Sequence, residues 1–332
     1  MGFKDIPHDD YERVIHATDD ESGLDAIIAL HNTKLGPAIG GIRCYSYDTF
    51  ESQLNDALRL SKGMTFKNAA AGLNHGGAKT TVNASKIKDR KLAFQRLGKM
   101  INLLDGKYIC AGDVGVNTED LYRVNDGTSY VAGIKLDSSK PTALGVYSSI
   151  GALLERDNYK LDGTVFVVEG LGKVGGALAK MLIRAGGIVK AYDPWEDAYK
   201  QFDSNYPIEK LLKEEVFTTK SDMYVPCALG GTVNMKSLNM MKADYICGSA
   251  NNQFATLGDA EIARTIGINY VPDFIANCGG VVAVALDFKN KNYHNALTFD
   301  LNLRIADIFD AAENADISVQ QAAERFANYR LK

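Results

Sequence analysis

Apolar residues recur with two different periods along this chain, and the changes of period outline its elements. Residues 24–30 (LDAIIAL) are an almost unbroken apolar run, which predicts a sheet strand. The turn-rich stretch 35–43 (LGPAIGGIR) then interrupts the pattern and is expected to be irregular up to Arg43. From Glu51 the period becomes helical, with Leu54, Ala57, Leu58 and Ser61 on one face and Gly63 as the expected stop. A second helix follows from Phe94, Leu97, Ile101 and Leu104, closed by an Asp105–Gly106 turn.

The second half repeats a strand–helix rhythm. Thr164 to Val168 is a β-branched and aromatic run, as expected of a buried parallel strand. Gly170, Gly172 and Gly175 then fit G-x-G-x-x-G, and Val174, Leu178 and Met181 continue as a helix face. IVKAY and Asp193 complete a second strand, and residues 222–229, 244–250 and 268–272 predict three more. Near the carboxyl end, Leu303, Ala306 and Phe309, with Ile305 and Ile308 beside them, mark one helix; Val319, Ala322 and Phe326 mark another. The fold class is therefore α/β in two domains: an amino-terminal α/β domain and a doubly wound Rossmann domain. The polar, proline-bearing segment 138–149 (SSKPTALGVYSS) suggests a hinged junction. The expected boundaries are 1–141 and 142–299, with a carboxyl-terminal helix at about 300–332 folding back on the first domain.

Composition narrows the function mainly by exclusion. The 37 basic and 41 acidic residues leave a net charge of −4, which advertises neither nucleic acid nor an anionic membrane. No apolar run is long enough to span a bilayer, and the start MGFKDIPHDD has neither a secretory pattern nor, with Ile6, a myristoylation pattern. Five scattered cysteines without a CxxC pair suit reduced thiols in a cytoplasm rather than a disulfide framework or a zinc site. No metal is expected.

Two segments carry candidate chemistry. In the glycine turn, the first glycine permits the sharp reversal, the second brings a pyrophosphate close to the backbone, and the third lets helix and strand pack closely. The helix amino terminus offers N–H groups to the phosphates, and Asp193 can accept from an adenosine ribose while repelling a 2′-phosphate, which favours NAD over NADP. Residues 62–80 (KGMTFKNAAAGLNHGGAKT) hold Lys67 and Lys79, the latter after the Gly76–Gly77 pair, which is expected to let backbone approach a ligand. A lysine ordinarily titrates near ~10.4, so serving as a base at neutral pH requires a fall of about three. Two amines converging on one pocket would help achieve that, giving an anion-binding lysine beside an activated one.

Taken in order, GPAIGGIR, ALRLSKGMTFKNAAAGLNHGGAK, GDVG, GLGKVGG, PCALGG, GSANNQ and NCGGVV resemble the motifs of the Glu/Leu/Phe/Val amino-acid dehydrogenase family, nearest its leucine-type members. The resemblance runs nearly end to end, and it implies that the first domain is an α/β substrate and oligomerisation domain, separated by a cleft from the Rossmann NAD-binding domain. It implies reversible, NAD-dependent oxidative deamination of an L-amino acid to its 2-oxo acid and ammonia, in a homo-oligomer. By position it makes Lys79 the catalytic lysine, Asp113 the aspartate that exchanges a proton with the substrate amine, and Lys67 the holder of the α-carboxylate. Gly40 would line the site through its carbonyl, and Asn251 would sit between nicotinamide and substrate. Gly170, Gly172, Lys173, Val174, Gly175, Asp193, Thr142, Ala228, Leu229, Ser249 and Ala250, with Asn251, are the implied cofactor contacts.

Ile39 stands where glutamate-specific members place a lysine, and Ala111, Val281 and Val284 match pocket positions of leucine-type members. These imply a branched aliphatic substrate; an aromatic one, or a silent nucleotide-binding regulator, are the alternatives. Burying a glutamate carboxylate against Ile39 would cost several kcal/mol, whereas a single methylene is worth only ~1–3 kcal/mol, too little to separate leucine, isoleucine and valine. Gly112, His75 and Ala283 depart from the family's usual residues at their positions, and His75 is expected to be a packing residue.

Overall fold

The computed structural model describes residues 1–332, and the chain divides into two compact units. The first comprises residues 1–136, 283–292 and 327–332, and the second comprises 137–282 and 293–326.

In the first unit, strands β1 (Gly2–Asp5), β2 (Arg13–Asp19), β3 (Leu24–Asn32) and β4 (Ala38–Tyr45) precede helix α1 (Phe50–Ala70). Strand β5 (Gly77–Asn83), α2 (Arg90–Asn102), β6 (Tyr108–Gly112) and α3 (Thr118–Asn125) complete it. The sheet order is β1-β2-β3-β5-β4-β6, antiparallel as far as β5 and parallel from β5 through β4 to β6. The apolar run of β3 reflects burial on both faces. Ile28 and Leu30 join the core formed with Phe94, Leu97 and Ile101 of α2, while Ile27 and Ala29 pack on the other face with Ala57 of α1.

Two expectations fail here, each for a physical reason. The segment around Pro37–Arg43 is not a turn: residues 38–45 are β4, a central strand. Its glycines serve close packing, since a Cβ on Gly40 would stand 1.6 Å from the Ala78 carbonyl oxygen. Gly63 does not stop α1, which runs seven residues further to Ala70. The inward positions of α1 are largely polar, with Gln53, Ser61, Thr65 and Asn68 buried beside Ala57, and Gln53 and Asn68 donate to strand and loop carbonyls.

The second unit begins with α4 (Ser139–Arg156), so the polar segment expected as a flexible link forms the start of a long helix. Strand β7 (Val165–Glu169), α5 (Lys173–Arg184), β8 (Ile188–Tyr192), β9 (Glu209–Lys210) and β10 (Met223–Pro226) follow. Next come α6 (Met235–Met240), β11 (Tyr245–Ile246), α7 (Leu257–Thr265) and β12 (Asn269–Tyr270). All strands of this sheet are parallel, in the order β12-β11-β10-β7-β8-β9. The order reverses between β7 and β10, the switch point at which ligands dock in such sheets.

Helices α8 (Asp273–Ala276), α9 (Gly279–Asp287), α10 (Leu301–Ala315) and α11 (Val319–Leu331) end the chain, with a π-helical turn at Ala296–Asp300. Of residues 300–332, only 327–332 group with the first unit, and α10 belongs to the second. The buried stripe of α10 is Leu301, Ile305, Ile308, Phe309 and Ala312, one step round the helix from the expected Leu303 and Ala306, both of which are exposed.

Candidate active site

Strand pairing assembles the polar centre of the first unit. Lys79 on β5 lies between Ala29 of β3 and the glycine pair of β4. Asp113 follows β6, whose Ala111 and Gly112 pair with Gly41 and Ile42. The Lys79 Nζ and the Asp113 Oδ2 are 2.6 Å apart. Gly41 leaves room for this pair, because a Cβ there would stand 2.8 Å from the Asp113 Cβ and 3.2 Å from the Lys79 Nζ. Lys79 is only 5% exposed. Burial pushes its amine below the ordinary lysine range; Asp113 pulls it back up, Arg43 pushes it down again, and the net shift is downward. For Asp113, burial acts upward, but Lys79 and Arg43 outweigh it and hold the carboxyl below its usual range.

Arg43 ends the GPAIGGIR motif, but the sequence alone gives it no role. Its Nε donates to Asp113 Oδ2 at 3.1 Å and its Nη1 to Asp56 Oδ2 at 3.3 Å. Asp56, on α1, also accepts from the Tyr47 hydroxyl at 2.8 Å and from Arg59 at 2.8 Å. The signal for Arg43 was strand alternation: Gly41 and Arg43 face the same side of β4, which is invisible while 35–43 reads as a turn. Arg43 is thus a like charge acting on Lys79. Lys67 is half-buried on the last turn of α1.

The Gly76–Gly77 pair is required by the protein's own packing. A Cβ on Gly76 would stand 1.7 Å from the Asn32 carbonyl oxygen, and one on Gly77 would stand 2.0 Å from the Thr65 nitrogen. The Gly40 carbonyl accepts from the Tyr108 hydroxyl at 3.3 Å, and that hydroxyl in turn accepts from Thr80. Ile39, Ala111 and Val284 are buried in the first unit, whereas Val281 falls in the second. His75 is 2% exposed. Its Nδ1 donates to the Pro37 carbonyl at 2.9 Å, which makes Nε2 an acceptor, and Nε2 is buried with no partner.

In the second unit the glycine turn follows β7, at the switch point. Gly170 has φ +97° and lies against β10's continuation, where a Cβ would stand 2.8 Å from the Ala228 Cβ. Gly175 abuts the Gly170 carbonyl oxygen at 2.0 Å from a notional Cβ, so helix and turn pack closely. Gly172 caps α5 with no side-chain bond and open space around it, leaving the first-turn N–H groups of Lys173 and Val174 available to a phosphate. Asp193 follows β8; its Oδ2 accepts from the Leu171 N–H at 2.7 Å and its Oδ1 from the Trp195 N–H at 2.9 Å. Each oxygen keeps acceptor capacity for a ribose hydroxyl.

Past β10 and β11, Gly230 lies against the Asn251 backbone, and Asn277 donates to the Asn251 Oδ1 at 3.0 Å and to the Ser249 carbonyl at 3.3 Å. Asn277 is a second residue that spacing alone does not single out. Ala250 is buried and Leu229 exposed, while Thr142 lies on α4 against Gly280 and donates to the Ser138 carbonyl. The residues at this switch point fit a dinucleotide: an uncapped helix terminus, an open second glycine and an acidic residue ending the adjacent strand.

Comparison with known proteins agrees with this architecture. Residues 11–130 match the Glu/Leu/Phe/Val dehydrogenase dimerisation domain, and residues 193–331 match the Glutamate/Leucine/Phenylalanine/Valine dehydrogenase domain. A leucine dehydrogenase from Bacillus cereus is 39% identical over 99% of this chain and 93% of its own length. A phenylalanine dehydrogenase from Lysinibacillus sphaericus is 34% identical over 95% of this chain and 87% of its own. The crystal structure of L-tryptophan dehydrogenase from Nostoc punctiforme superposes with a TM-score of 0.84 at 30% identity, covering 97% of this chain and 96% of that one. With both units matched in order and relatives similar over most of their lengths, this chain belongs to the Glu/Leu/Phe/Val family of amino-acid dehydrogenases.

Proposed function

We propose that the protein is an NAD-dependent dehydrogenase of branched-chain L-amino acids, working reversibly. The balanced reaction is L-amino acid, NAD⁺ and water to 2-oxo acid, ammonium, NADH and a proton. The buried Lys79–Asp113 pair is the observation that carries this reading, because it offers an amine with a lowered pKa beside a carboxylate that stays ionised. Asp113 takes a proton from the substrate ammonium, since Cα gives up its hydride only from the free amine. Lys67 holds the α-carboxylate, and Lys79 in its neutral form removes a proton from the water that adds to the iminium carbon. When bound, the nicotinamide supplies the acceptor for the hydride. Asp193 disfavours a 2′-phosphate, which selects NAD over NADP.

Ile39, Ala111 and Val284 are apolar and buried, which supports an aliphatic side chain. An aromatic substrate is the second reading, supported by the tryptophan and phenylalanine dehydrogenases among the relatives. The enzyme is further proposed to be a cytoplasmic homo-oligomer without nucleic-acid or membrane partners. No helix is long and apolar enough to cross a membrane.

The test is NADH formation with a panel of L-amino acids at about pH 10, where substrate amines are deprotonated. Turnover led by leucine, isoleucine or valine supports the proposal. Turnover led by phenylalanine or tryptophan keeps the mechanism and replaces the pocket assignment. No turnover with any amino acid removes the catalytic reading.

A further inference from the structure

We infer that Arg43 is a positioning residue for the Lys79–Asp113 pair, its guanidinium bridging Asp113 and Asp56 and so fixing the Asp113 carboxylate against the lysine amine. The inference rests on the catalytic roles proposed above for those two residues.

The geometry is a chain of contacts across three elements of the first unit. Lys79 Nζ and Arg43 Nε both meet the same oxygen, Asp113 Oδ2, at 2.6 and 3.1 Å. Two donors on one oxygen fix the rotation of the carboxylate, so Oδ1 keeps a constant direction. Arg43 is itself anchored at its other end, where Asp56 Oδ2 accepts from Nη1 at 3.3 Å while Tyr47 and Arg59 hold Asp56. A guanidinium suits this role better than an ammonium: its planar fork spans two carboxylates at once and does not lose its proton.

Position and charge act together. The ionisable groups that act on the pair are Arg43 on β4, Asp56 on α1, and the Tyr47 and Tyr108 hydroxyls, which couple to Asp113, while Arg59 holds Asp56. Arg43 lowers both Lys79 and Asp113, while Asp56 raises Lys79. The two ends of the bridge therefore oppose one another at the lysine. Removing the positive end must favour a protonated Lys79, and removing the negative end must favour a neutral one. A residue that merely supported the fold would not produce paired shifts of opposite sign.

The experiment compares the pH dependence of kcat/KM for amino-acid oxidation in the wild type, Arg43→Gln, Arg43→Lys and Asp56→Asn, with folding checked by circular dichroism. Arg43→Gln is expected to move the rising alkaline limb upward by about one pH unit, so that kcat/KM below the limb falls about tenfold. Arg43→Lys retains the charge and should restore the limb to near the wild-type position, with a lower kcat from the lost fork. Asp56→Asn should move the limb downward. If Arg43→Gln does not fold, the direction of the Asp56→Asn shift decides the matter. A folded Arg43→Gln with an unmoved limb, or an Asp56→Asn limb that stays or rises, overturns the role of Arg43 and leaves the dehydrogenase reading intact. A wild type that oxidises no amino acid removes that reading instead, and with it the reaction Arg43 would serve.

Discussion

At Lys79 the desolvation of a charge competes with the attraction of a carboxylate 2.6 Å away, and desolvation prevails. The sign for activity follows directly. A lowered pKa makes the neutral amine abundant at a lower pH than for a solvated lysine near ~10.4. Amino-acid oxidation should therefore rise with pH and level off below that value. Lys79→Ala should lose at least about a thousandfold in kcat, within the range attributed to a positioned acid–base group together with its polar surroundings, while dinucleotide affinity stays the same. Calorimetry and steady-state rates check the two halves, and full turnover in the variant would remove Lys79 from the mechanism. Gly41→Ala offers a geometric counterpart. Its Cβ would press on Asp113 at 2.8 Å, so kcat should fall although no ionisable group has been removed. The identities of Lys79 and Asp113 were legible from motif and resemblance. Arg43 and Asp56 were not, because a side chain's partners depend on which strands lie side by side.

Among the elements, glycines mislead when composition is read without packing. Gly40 and Gly41 sit inside a central strand, where the neighbouring carbonyl and the lysine–aspartate pair leave no room for a Cβ. Gly63 is the opposite case: it lies in the interior of α1, exposed, with nothing within 4 Å of a notional Cβ. Gly63→Ala should then stabilise the protein by about 0.5–1 kcal/mol through helix propensity alone. That gain corresponds to a rise of about 1–4 °C in the thermal midpoint, measurable by calorimetry, and a fall would show an unrecognised contact. The clear successes were elements whose periodicity coincides with their burial, such as β3, α2 and β7, whereas α5 buries Leu178, Ala179 and Leu182 and leaves the expected Val174 and Met181 half-buried. In α10 the apolar residues are numerous enough to offer two stripes, and only packing selects Leu301, Ile305, Ile308 and Phe309.

For the molecule as a whole, each unit carries one half of the proposed chemistry: the buried Lys79–Asp113 pair in the first, the glycine turn in the second. On the proposed reading, Asp193→Ala should weaken a preference for NAD over NADP, because the carboxylate that would repel a 2′-phosphate is gone. It should also loosen the turn, since Leu171 and Trp195 both donate to that carboxylate. The chain's single tryptophan, Trp195, is 75% exposed beside Asp193, so its fluorescence provides a binding signal for both dinucleotides. Unchanged selectivity in titrations of the variant would mean that another residue reads the ribose.

The sequence by itself determined the α/β class, the two-part organisation, the glycine turn with its acidic partner, and the family, because these depend on local period and on residues close together in the chain. It also named the lysine and aspartate at the centre of the first unit. The tertiary structure decided that residues 38–45 form a strand, that α1 passes through Gly63, and that Arg43 and Asp56 flank the Lys79–Asp113 pair. Those outcomes depend on sheet order, which brings Lys79, Asp113 and Arg43 into contact from separate strands. No local pattern encodes such an encounter, since it arises only when β5, β4 and β6 pair side by side.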